Sequence, residues 1–134
     1  MTWPSAAHRA RTQQGSALVD FALVAVVLVP LFFGVLQLGL MWHVKTTLTS
    51  AASEGARFGA AYNRSYAEGA TRTSQVIAEV FGADFHDAVT ASESSIRGQP
   101  VVAVSVEAEV PVIAFWGPTT TVTVESHAIK EFLP

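Results

Sequence analysis

The chain contains no cysteine, which excludes disulfides, thiolate nucleophiles and cysteine-ligated metals, and it suits an oxidising compartment as well as a reducing one. Charge is scarce at 14%, and between Phe21 and Trp42 there is no Asp, Glu, Lys or Arg. A basic excess is missing too. The formal net charge is −3, so no positive field gathers a polyanionic backbone, and nucleic acid is not an expected partner. No spacing assembles a Ser, His and acid triad or a glycine-rich phosphate loop, and His8, His43 and His127 are scattered. The expectation is a protein without catalysis and without a cofactor. Asp84-Phe85-His86-Asp87 has oxygen and nitrogen ligands but no closed set, so it reads as a solvated connection rather than a metal site.

The charge-free block is 22 residues long, with Gln37 its only strongly polar side chain. A helix of that length reaches about 33 Å, against a hydrocarbon core of about 30 Å. It predicts a single span in the lipid bilayer at about residues 21–42. Pro30 removes a backbone donor inside it, so a bend rather than a break is expected. Arg9 and Arg11 precede the span, whereas residues 43–134 carry a formal charge of −4. The positive-inside rule then puts the N-terminus in the cytoplasm and the larger C-terminal part outside the cytoplasmic membrane. A cleaved secretory signal would have a shorter apolar core and a small-residue cleavage site; Gly39-Leu40-Met41-Trp42 offers none.

Beyond the span, Val44, Leu48, Ala51, Ala52, Gly55, Phe58, Gly59 and Tyr62 recur at helical spacing, with no turn residue before them. One long helix over 16–62 is expected. Its stripe is small: Ala51, Gly55 and Gly59 leave a shallow packing groove where another element can approach the backbone. Within it, Glu54 and Arg57 are spaced as a weak, solvated pair. Asn63-Arg64-Ser65 breaks the pattern, and Ser65 with Glu68 has capping-box spacing for a second helix, Tyr66 to Phe81. Its expected face is Tyr66, Ala70, Ile77 and Phe81, and Gly82 is its stop. Residues 84–99 read as connection, with a short strand around Ala88 to Ala91. The alternation from Val102 to Val112 is a half-buried strand, and Val122 and Val124 mark another that pairs with it beyond Gly117-Pro118. This hairpin needs cover, and the small-residue face of the first helix is the expected surface for it. The fold class is therefore α+β, with a membrane-spanning helix continuing into an outer domain over 63–134 that holds a second helix and a small antiparallel sheet packed on the first helix. Phe115-Trp116 at the hairpin tip is a candidate docking patch, with core packing the alternative.

Gln14-Gly15-Ser16-Ala17-Leu18-Val19-Asp20-Phe21, directly before the span, resembles the processing site of type IV prepilin-like proteins. Ala51-Ala52-Ser53-Glu54-Gly55-Ala56-Arg57-Phe58 resembles the A-x-E-G-A-R-aromatic signature of TadE-like pseudopilins of the tight-adherence pilus system. The resemblance implies a pilin-like architecture and a cytoplasmic leader over 1–15, cut after Gly15 by a prepilin peptidase. It also implies an acidic residue five places into the mature chain, here Asp20 where the family usually has glutamate, with the mature N-terminal amine as its partner. The implied partners are other tight-adherence pilins, pseudopilins and assembly proteins. The alternative is a permanently anchored extracytoplasmic binding or sensing module that never enters a pilus.

Overall fold

The computed structural model describes the backbone of residues 7–85, 87–112 and 119–132, and the side chains within these from residue 13 onward. Two helices precede three strands: α1 (Ala7–Ala60), α2 (Tyr66–Phe81), β1 (Asp87–Ile96), β2 (Gln99–Val110) and β3 (Thr120–Ile129). The class is α+β, as the sequence predicts. By compactness the chain divides into Met1–Gln37 and Leu38–Pro134.

The first unit is helical. α1 begins at Ala7, ahead of the expected start at residue 16, since nothing between Ala7 and Gly15 is a proline or a β-branched run. Helix continues through Pro30. Leu18, Phe21, Val24, Leu28, Leu31, Phe32 and Val35 are all exposed. A water-facing apolar surface of this extent is not sustainable, so this helix is long and apolar enough to cross a membrane and fits a single-pass anchor.

In the second unit the sheet packs against the part of α1 from Val44 to Ala60. Val44, Leu48, Ala51, Ala52, Ala56 and Ala60 join Val102, Val104, Val106, Ala108 and Val110 of β2, Val122 and Val124 of β3, and Ile77 of α2 in one core. Alternation makes this possible. Every second residue of β2 faces α1, while Glu107 and Glu109 between them stay exposed. The strand stops at Val110, before Pro111, which cannot donate to a ladder; Val112, expected within it, lies beyond. β2 is central and both its neighbours are antiparallel, in the order β1-β2-β3.

β1 corrects the sequence reading. Residues 87–96 form a full strand in place of a connection with a short strand, although only Val89 and Ala91 are half-buried. Its Ser, Thr and Glu residues carry no apolar stripe, so the hydrogen bonds to β2 make the strand, not burial of one face. Arg97 (φ 53°) and Gly98 (φ 79°) form the two-residue connection between Ile96 and Gln99. Two left-handed residues give a type I′ turn, whose twist matches the paired strands.

Candidate functional site

Three groups of residues are of functional interest: the segment before the apolar run, the small-residue stripe of α1, and the aromatic pair between β2 and β3. Gly15, Ser16 and Asp20 are all exposed and lie inside α1. A methyl group at Gly15 would meet nothing within 4 Å. Ser16 and Asp20 are four residues apart and so share one face of the helix. Among the described residues no cation pairs with Asp20. Phe115 and Trp116 lie outside the described residues, as does His86 of the polar run; Asp84 follows α2 and Asp87 opens β1.

The small stripe is a site of close backbone approach. Ala51 lies in the core with the strands, but the neighbour of Gly55 and Gly59 is α2, not the β2–β3 hairpin expected there. A methyl group on Gly55 would overlap Thr73 Oγ1 and stand 2.6 Å from the Gly69 carbonyl oxygen. One on Gly59 would lie 3.1 Å from the Ser65 carbonyl oxygen and 3.2 Å from Gly69 Cα, and one on Gly69 would lie 2.6 Å from the Gly55 carbonyl oxygen. Gly69 therefore crosses α1 between two glycines one turn apart. The sequence shows Gly69 only as a weak point in α2, yet α2 buries Gly69, Thr73 and Ile77, while Tyr66, expected inward, is exposed. Two helices this close leave no room for a tyrosine ring between them. The buried Thr73 hydroxyl is satisfied, since it donates to the Gly69 carbonyl at 2.9 Å.

The short α1–α2 connection sets this crossing. Asn63 takes a left-handed φ of 61°, and Ser65 caps α2. The Ser65 amide donates to Glu68 Oε2 at 2.8 Å and the Glu68 amide to Ser65 Oγ at 3.3 Å, completing the predicted capping box. The Ser65 amide first, and the Arg64 guanidinium second, hold the Glu68 carboxyl below its ordinary range. Gly82, the predicted stop, closes the helix with its amide on the Ala78 carbonyl at 2.9 Å. Outside the crossing, Arg72 Nη2 and Nε donate to Glu54 Oε1 at 2.6 and 2.9 Å. Glu54 thus pairs across to α2 instead of with Arg57, because the crossing brings Arg72 within reach. At about half exposure this pair contributes on the order of 0–1 kcal/mol.

Among the described residues these groups provide exposed helix surface and a close helix crossing. The glycine crossing lies at the end of a longer recognisable segment, for residues 15–57 match the family model described as TadE-like protein. That segment is TadE-like. The match opens at Gly15, takes in the whole apolar run and closes within the Gly55–Gly59 turn, leaving α2 and all three strands outside it. No curated protein and no solved structure matches the chain.

Proposed function

We propose that this chain is a noncatalytic, pilin-like component of tight-adherence pilus assembly. Residues 21–42 anchor it in the cytoplasmic membrane, with the N-terminus inside and residues 43–134 outside, and a prepilin peptidase cuts it between Gly15 and Ser16. The observation that carries this reading is the TadE-like match over 15–57, which begins at the proposed junction and runs through the apolar helix. The exposed junction supports it. A scissile bond must leave the helix to enter a protease, and Gly15 lowers the cost of unwinding by about 1 kcal/mol relative to alanine. Cleavage would create an amine at Ser16, one helical turn from Asp20. Its positive charge offsets a carboxylate placed one residue before the apolar run, where an unpaired charge is costly. Other pilins, pseudopilins and assembly proteins are the proposed partners of the outer domain.

Mass spectrometry of the protein from cells with active prepilin peptidase tests the processing step. The expected dominant species begins at Ser16; one beginning at Met1 or Thr2 overturns it. Co-purification with sheared filaments or with pilus assembly proteins is expected, whereas retention in membranes without either favours the permanently anchored module.

A further inference from the structure

The sheet has two faces, and α1 covers one of them. On the other, the strand register sets Val101 of β2 beside Ile129 of β3, with Ile96 and Gln99 next to them at the β1–β2 turn. Val101 is only 3% exposed and forms the floor of a shallow groove of about 360 Å³. Exposed Ile96 and Ile129 wall this groove, and Arg97, Gln99 and His127 stand at its rim. Further along β2 the same face turns acidic. Glu107 and Glu109 lie six and eight residues from Val101, both exposed, and Glu125 of β3 is on the diagonal from Glu107. Among the described residues the side chains of Arg97, Glu107 and Glu109 make no hydrogen bond or ion pair, and Glu125 has only His127, at 3.0 Å.

We propose that this uncovered sheet face docks a different protein, whose matching face carries an aliphatic or aromatic anchor for the Val101 groove and a cluster of lysine or arginine for Glu107, Glu109 and Glu125. Strand geometry at about 3.3 Å per residue puts the two features about 20 to 26 Å apart. Each end of the face favours such a partner. Isoleucine side chains around an apolar floor gain by leaving water, and neighbouring carboxylates repel one another until a cation lies against them. Arg97 beside the groove suits a carboxylate next to the anchor, so the partner's charges run in the opposite order to those of this face. The acidic end repels phosphate, which excludes a lipid headgroup or a nucleic acid as the occupant. It repels a second copy too. Copies anchored from the same side of one membrane can stack these faces only with their strands running the same way, which sets acidic end against acidic end. That last exclusion rests on the anchored reading proposed above.

Photo-cross-linking in cells tests both ends of the face. The full-length chain carries p-benzoylphenylalanine at Ile129, or at Thr121, which pairs with Glu109, and exposed Thr49 of α1 is the control position. After irradiation the adducts are sequenced by mass spectrometry. Both positions are expected to capture the same protein, other than this chain, several-fold above the control. The Ile129 adduct should fall at an aliphatic or aromatic residue and the Thr121 adduct beside lysine or arginine. Glu107→Lys with Glu109→Lys should lower both yields several-fold, whereas Glu79→Lys, at an exposed carboxylate of α2, should not. Glu107→Gln with Glu109→Gln serves if the reversed chain does not fold. Adducts with a second copy or with lipid, yields no higher than at Thr49, or yields indifferent to the two glutamates overturn the proposal. A matching partner outside the pilus machinery would leave the docking surface standing and overturn the pilus reading instead. Co-purification with pilus proteins without these adducts would do the reverse.

Discussion

Hydrogen replaces a side chain at Gly55, Gly59 and Gly69, and those three atoms set how near α1 and α2 come. Propensity and packing predict opposite signs for Gly69→Ala. Alanine improves an isolated helix by about 1 kcal/mol, whereas a methyl group 2.6 Å from the Gly55 carbonyl oxygen forces the helices apart, at a typical cost of about 1 to 3 kcal/mol. Packing wins, and the melting temperature of Gly69→Ala should fall; Gly55→Leu should fall further. A rise in either would mean that the crossing does not form in solution. Glu68 makes a different prediction. Its carboxyl is held low in the folded chain by the Ser65 amide and then by Arg64. A depressed folded pKa stabilises above the unfolded value, about 4.3, and that stabilisation is lost as pH falls through the folded one. The gap in melting temperature between wild type and Glu68→Gln should therefore be open at pH 7 and close on acidification below about pH 4. A gap that widens in acid would contradict the capping role.

At the scale of elements, the ends of α2 were legible and its buried face only in part: Ile77 is buried and Phe81 packs on the core as expected, but Tyr66 is exposed and Gly69 and Thr73 take the contact. Ser65, Glu68 and Gly82 act through backbone groups a few residues away, so spacing alone identifies them. Which face turns inward depends on the approach of α1, and the smallest side chains won the contact over Tyr66. β1 was legible only around Ala88 to Ala91, for a related reason: a strand held mainly by its ladder to a buried neighbour needs no apolar alternation along its whole length. Its turn carries the local signal, because Arg97 and Gly98 must both be left-handed. Gly98→Val should destabilise the chain by about 1 to 2 kcal/mol, and Arg97→Asn should raise the melting temperature, since asparagine tolerates this region better. Thermal unfolding of the two variants checks both signs; a neutral valine would argue for a different turn.

For the whole molecule, the apolar run and the acidic remainder divide the chain before any folding is considered. The exposed Leu18 to Leu38 surface calls for lipid, and the arginines before it against the net negative charge after it argue for an inward N-terminus. Protease added to spheroplasts should digest residues 43–134 while leaving a membrane-protected N-terminal fragment. Protection of the C-terminal part until the bilayer is opened would reverse the orientation and remove the basis for an extracytoplasmic role.

Sequence by itself determined the features that depend on neighbours along the chain. These are the apolar run, the amphipathic face from Val44 to Ala60, the capping box, the alternation of β2 and the TadE-like segment. Only the tertiary structure decided which surfaces meet. Gly55 and Gly59 announced a groove but not its occupant, Glu54 had a near partner in Arg57 and took Arg72, and residues 87–96 became a strand because β2 was there to pair with. The physical reason is common to all three. Periodicity, caps and turns are fixed by interactions within a few residues, whereas the partner across a helix crossing or a sheet edge is fixed by burial and hydrogen bonding between segments far apart in the chain.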